Sequence, residues 1–171
     1  MWFAMRAVGL EFLETARRTW TVECDLHAPR ADVWAAYSDP ATWSEWFPGV
    51  RSARYRGSGP YGVGAIRVAD VGGHRFEEVM VAWEEGVRWA YSIERATVPL
   101  ARAQLECTDF EDRNGGTRLR WTIASDPRLI LWAGAPVFPR VMKRLFEKAT
   151  RNLDVAIGAR GAAGSPREER G

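Results

Sequence analysis

Cysteine is scarce: Cys24 and Cys107 are the only two in 171 residues, and they stand far apart. They supply neither a disulfide framework nor a thiolate metal pattern. Histidine is as rare, with His27 and His74 alone. On a strand, Cys24 and His27 point to opposite faces and make a poor chelate. No set of four ligands has zinc-like spacing, so no metal is expected. His74, at a strand start, reads as an exposed turn residue. There is no G-x-S-x-G, which removes a serine triad built on that elbow. Long apolar runs are missing too. The longest, LILWAGAPVF at 129–138, is half of the ~20 residues that a spanning helix needs. No transmembrane segment is therefore expected. The opening MWFAMRAVGLEF has no basic n-region and too short an apolar run for a signal peptide. Nor is there an excess of one charge. The formal net charge is +2, and Lys and Arg are scattered, so no nucleic-acid partner is expected. Together these absences suggest a reducing, cytoplasmic setting, with either a monomer or a homodimer compatible.

What is present is ordinary for a globular domain except in one respect. Hydrophobic residues make up 46% and charged residues 27%, but nine residues are tryptophan. The length fits one domain. Residues 1–14 read as a loosely attached extension. The tail 158–171, rich in Gly, Ala, Pro and charge, is expected to be disordered. TWTVECDLHAP alternates, placing Trp20, Val22, Cys24 and Leu26 on one side of a strand. Pro29 opens a helix with Asp32 in its first turn. SDPATWSEWFP restarts helix, with Asp39 as N-cap, Pro40 at the first position, and Trp43, Trp46 and Phe47 on one stripe ended by Pro48. From Gly49 the period becomes two. Strands are predicted near 49–57, 63–70, 74–84, 87–96, 100–112 and 116–125, joined by short turns into an antiparallel meander. Phe138, Met142, Leu145, Phe146, Ala149 and Leu153 then mark a long amphipathic helix.

RGSGPYGVGAIR contains a literal G-x-G-x-x-G at Gly57, Gly59 and Gly62. A dinucleotide site needs a helix N-terminus directly after such a loop. Here the β-branched, alternating VGAIRVAD follows and reads as strand, and Pro60 removes one N–H from the loop. The motif reads as a glycine-rich hairpin connection, and no cofactor is expected.

The stretches APRADVWAAYSDPATWSEWFPGV, GHRFEEVMVAWEEGVRWAYSIE and GGTRLRWTI, followed by the long helix, resemble the START-like superfamily, also called SRPBCC. It includes the birch-pollen-allergen relatives and the polyketide cyclase/dehydrase family. The likeness covers about residues 15–157. It implies an α+β helix-grip fold: a curved antiparallel seven-stranded sheet, two short helices after the first strand, and a C-terminal helix packed across the sheet around a pocket. In relatives a glycine-rich loop occupies the same hairpin.

Turn geometry gives candidate inward residues. With Glu85-Gly86 as a two-residue turn, Ala82 faces Trp89, Met80 faces Tyr91, Glu78 faces Ile93 and Phe76 faces Arg95. Cross-strand partners share a face, so Glu78 and Arg95 would join Trp89 and Tyr91 inside. The Asn114-Gly115 turn pairs Phe110, Thr108 and Glu106 with Leu119, Trp121 and Ile123, adding Glu106. A tight VGG turn pairs Ile66 with Val79 and favours the opposite face, with Val79, Val81 and Trp83 inside. One bulge separates the two readings. The candidate catalytic groups are Glu78, Arg95 and Glu106. Arg95 has the planar fork that anchors a carboxylate or enolate.

Trp34, Tyr37, Trp46, Phe47, Trp89, Tyr91 and Trp121, with Met142 and Leu145, read as pocket lining or as plain core; the resemblance favours the pocket. The 129–138 segment reads as a kinked first helical turn or as a lip at a pocket mouth near Trp132. The expected function is binding of a hydrophobic small molecule of lipid, polyketide or isoprenoid type. The alternatives are a polyketide aromatase/cyclase using an acid/base pair in the same pocket, and a protein-interaction or chaperone-cofactor module.

Overall fold

The two-residue periodicity becomes an eight-stranded antiparallel sheet in the computed structural model, which describes residues 1–128 and 137–164. In chain order the elements are β1 (Phe3–Ala4), α1 (Phe12–Thr15), β2 (Arg18–Leu26), α2 (Arg30–Ser38), a 3-10 turn (Pro40–Thr42), α3 (Trp43–Trp46), β3 (Val50–Tyr55), β4 (Ile66–Val71), β5 (His74–Glu84), β6 (Arg88–Ala96), β7 (Ala101–Arg113), β8 (Gly116–Pro127) and α4 (Phe138–Gly164). Across the sheet the order is β2-β8-β7-β6-β5-β4-β3, with β1 beside the end of β6. This is the expected α+β helix-grip architecture, with one short strand more than the seven predicted. No helix among the described residues is long and apolar enough to cross a membrane.

Local chemistry explains the joints. Pro29 occupies the N-cap position, one residue earlier than predicted. Asp39 caps the 3-10 turn, its carboxylate accepting from the Ala41 N–H at 3.0 Å, with Pro40 following. Trp43 then donates its indole N–H to the Tyr37 carbonyl at 2.9 Å, which locks α3 onto α2. Asn114 and Gly115 both have positive φ, as a type I′ hairpin requires. That turn sets the β7–β8 register from Arg113↔Gly116 to Ala103↔Asp126 without a break.

Two cores lie on opposite faces of the sheet. The large one packs α2, α3 and the apolar stripe of α4 (Phe146, Ala149, Leu153) against the inner face. The small one is built on Ala82, Ala90, Ala103, Leu105, Cys107 and Ala124 and is covered by Val8 and Phe12. This corrects the reading of residues 1–14 as loosely attached. β1 pairs Phe3 with Ala96. The Met5 N–H donates to the Glu94 carbonyl and the Arg6 N–H to the Arg102 carbonyl, both at 2.8 Å. The segment thus enters where β6 and β7 stop pairing with each other. Residues 158–164, read from the sequence as part of a disordered tail, are helical: α4 continues through Gly158 to Gly164. Positions 165–171 lie outside the described residues.

Candidate functional site

A cavity of about 220 Å³ lies between the inner face of the sheet and α4. Alternation aims its wall residues. Arg67 and Ala69 come from β4, Glu78 from β5, Tyr91 and Ile93 from β6, Gln104 and Glu106 from β7, and Trp121 and Ile123 from β8. Trp43 and Phe47 close one end, and Phe138, Met142, Leu145 and Phe146 of α4 form the roof. The glycine-rich segment at 57–64 connects β3 to β4, and no helix follows it.

The polar groups gather in two sets. In the first, Arg67 is 1% exposed and Glu78 4%. The Arg67 Nε donates to Glu78 Oε2 at 2.5 Å, and the guanidinium carbon sits over the rings of Trp43 (4.2 Å), Trp89 (4.5 Å) and Tyr91 (4.9 Å). Arg67 Nη1 and Trp89 Nε1 are buried with no hydrogen-bond partner among the described residues. Burial pushes the Glu78 carboxyl above the usual carboxylate range, with Arg67 opposing. In the second set, Glu106 accepts from the Tyr91 hydroxyl at 2.6 Å, the Trp121 indole N–H at 3.2 Å and the Gln104 amide at 3.0 Å. Burial, then the Glu106 charge, raise the Tyr91 phenol well above its ordinary value. No cluster of three or more His, Cys, Asp or Glu among the described residues is arranged to hold a metal ion.

Of the residues singled out from sequence, Phe47, Glu78, Tyr91, Glu106, Trp121, Met142 and Leu145 line this cavity. Trp34, Tyr37, Trp46 and Trp89 do not. They belong to a solid aromatic cluster in which the Tyr37 ring touches Trp43, Trp46, Trp89, Phe110 and Trp121 at centroid distances of 5.1 to 5.9 Å. Arg95 also lies outside the cavity. Its side chain is half-exposed, over Trp2, and donates to Glu77 Oε2 at 3.4 Å. The reason is a bulge: Glu78 pairs with Ile93 but Glu77 with Arg95, so Glu94 is an extra residue and the faces exchange. Phe76 consequently faces Ala96 rather than Arg95; at the other end of the hairpin, the longer connection makes Trp89 face Trp83 rather than Ala82. Val79 does pair with Ile66, yet Val81 packs in the outer core, so the Val79, Val81, Trp83 inner face does not form. The 129–138 lip, Trp132 included, lies outside the described residues as far as position 136; Phe138 is in the cavity wall.

Sequence reasoning passed over Arg67, the most buried charge in the site. The signal was available: the turn that pairs Ile66 with Val79 also places Arg67 opposite Glu78.

Residues 17–158 match the family described as polyketide cyclase / dehydrase and lipid transport. The chain is similar to uncharacterized proteins of Mycobacterium bovis and Mycobacterium tuberculosis, 26% identical over 157 residues that span 89% of this chain and 94% of theirs. Among solved structures, a START superfamily protein from Mycobacterium smegmatis superposes with a TM-score of 0.66 at 11% identity, over 82% of this chain and 97% of that one. The di-domain ARO/CYC StfQ from the steffimycin biosynthetic pathway gives 0.68 at 14% identity, over 84% of this chain and 52% of that one. At these identities the superpositions show a shared fold.

Proposed function

The chain belongs to the polyketide cyclase/dehydrase and lipid-transport family, and on that premise we propose that it binds a compact, mainly apolar small molecule between the sheet and α4. The carrying observation is the cavity itself: about 220 Å³, walled mainly by aromatic and aliphatic side chains, with Arg67, Glu78 and Glu106 among them. Each 100 Å² of apolar ligand surface removed from water contributes about 2.5 kcal/mol. Polar groups then fix orientation rather than supply most of the affinity. The volume is below the roughly 300–1,000 Å³ usual for drug-sized ligands, which favours a small polyketide- or isoprenoid-like body over a full lipid. The unbridged thiols of Cys24 and Cys107 agree with a reducing, cytoplasmic setting, which we include in the proposal.

Calorimetric titration with ethylnaphthalene tests this reading, comparing the wild type with Ala69→Phe, which places a ring in the void. Binding by the wild type that is lost in the variant is the expected result. No heat from the wild type, or equal heat from both, overturns it.

Catalysis in the same cavity is a second reading, favoured by one arrangement. A buried carboxyl raised out of its usual range, Glu78, shares the wall with the hydrogen-bonded Tyr91–Glu106 pair. A cyclase or dehydratase needs a base to take a proton beside a carbonyl and an acid to return one. Glu78→Gln should then abolish turnover of a poly-β-keto substrate while leaving its binding intact; unchanged turnover rejects the role.

A further inference from the structure

Among the described residues, the charged side chains lining the cavity are Arg67, Glu78 and Glu106. Arg67 is matched to Glu78 through Nε and Oε2. Glu106 has no cationic partner among the described residues and is held by three neutral donors. With Glu78 ionised the set sums to one negative charge, and with Glu78 protonated to zero. While Glu106 is ionised, neither state makes the cavity positive. An entering carboxylate therefore meets two carboxyl groups and one guanidinium that is already paired, and desolvating it there is unfavourable. An ammonium finds acceptors, but it also meets Arg67 and cannot satisfy Arg67 Nη1, the donor left without a partner.

A hydroxyl meets both demands. Its O–H donates to the Glu78 carboxyl, and its lone pairs accept from Arg67. From these groups we propose that the cavity selects a neutral hydroxyl-bearing ligand, an alcohol or phenol on an apolar body, over a carboxylic acid or an amine of the same shape. The proposal rests on the binding reading above and adds the head group to it.

The test is a matched series on one apolar body near neutral pH: ethylnaphthalene, naphthylethanol, naphthylacetic acid and naphthylethylamine, each titrated calorimetrically into the wild type. The alcohol should bind at least about tenfold tighter than the acid or the amine, and tighter than the hydrocarbon, because a buried polar site penalises a ligand that leaves its groups unpaired. In Arg67→Met/Glu78→Leu, which replaces the ion pair by apolar groups, the alcohol-to-hydrocarbon affinity ratio should fall to within about twofold of unity. Glu106→Gln should narrow the gap between alcohol and acid. Acid or amine binding as tightly as the alcohol in the wild type overturns the proposal, as does an alcohol advantage that survives the double variant. If ethylnaphthalene binds and the alcohol gains nothing, only this head-group inference falls. If no member of the series binds, the binding reading falls and takes this one with it.

Discussion

Arg67 and Glu78 sit directly opposite each other on β4 and β5, Nε to Oε2 at 2.5 Å, both almost wholly withdrawn from solvent. A buried ion pair of this kind is fragile to halving. Removing one partner strands a charge at a cost of about 3–5 kcal/mol, whereas replacing both by apolar groups of similar volume is often neutral. Glu78→Leu and Arg67→Met should each lower the urea midpoint sharply. The double variant should recover most of the loss, with m unchanged. Additive losses would show that the two side chains stabilise independently.

Protonation should move the two halves of the molecule in opposite directions. Burial raises the Glu78 carboxyl, so its contribution is fully present below the unfolded-state value and is lost as pH rises through the folded one. Asp154 behaves the other way. Partial burial pulls its carboxyl up, but the His27 ring nitrogen at 2.7 Å and the N–H groups of His27 and Ala28 outweigh this and hold it below the ordinary aspartate value. Its contribution is therefore present above the unfolded value and lost as pH falls through the folded one. Asp154→Ala should cost about 1.5–3 kcal/mol at neutral pH, the range for hydrogen bonds to a charged group. The difference from wild type should shrink as the solution is acidified below the normal aspartate range, checked by denaturation at several pH values. A gap that widened on acidification would contradict the assignment.

The outer core predicts a role for the first fourteen residues. Phe12, 3% exposed, covers a surface made largely of alanines. Phe12→Ala should cost about 3 kcal/mol, the low end for a buried aromatic. Deleting residues 1–14 should expose Cys107, now 1% exposed with its thiol pushed up to about 12, by burial first and then by the Asp109 charge. Peptide mapping after alkylation should find Cys107 protected in the full chain and modified in the truncated one. Equal protection would mean that the segment is not its cover.

Legibility in the sequence followed the length of each pattern. The Asn114-Gly115 hairpin was readable in full because one turn chemistry fixes the register of β7 without interruption from Ala103 to Arg113. The β5–β6 hairpin was readable only in its middle. Its connection is one residue longer than a two-residue turn, the bulge at Val81 restores the register for Met80↔Tyr91 and Glu78↔Ile93, and the bulge at Glu94 breaks it again before Arg95. Bulges leave no mark in apolar alternation, so Glu78 was placed correctly and Arg95 was not. β1 and α1, at two and four residues, are too short to carry a period at all. The division of aromatics between core and cavity depends on how α2 and α3 pack, and periodicity reports only that they are buried.

Ala69 and Ala90 offer a direct measure of where the space is. Both are buried, at 3% and 0% exposure. Ala69 is in the cavity wall, while Ala90 lies in the outer core and is not among the residues lining that cavity. A ring added at position 90 has to displace packed neighbours, which costs about 1–3 kcal/mol and sometimes more. A ring added at position 69 has open volume in front of it and gains contacts that an empty space denies its lining. Ala90→Phe should therefore lower the melting temperature by roughly 2–12 °C, taking about 2–4 °C per kcal/mol for a domain of this size. Ala69→Phe should leave it near the wild-type value or raise it. Differential scanning calorimetry of the two variants side by side decides the matter. If Ala69→Phe is destabilised as much as Ala90→Phe, the space between the sheet and α4 is closed in solution and holds no ligand.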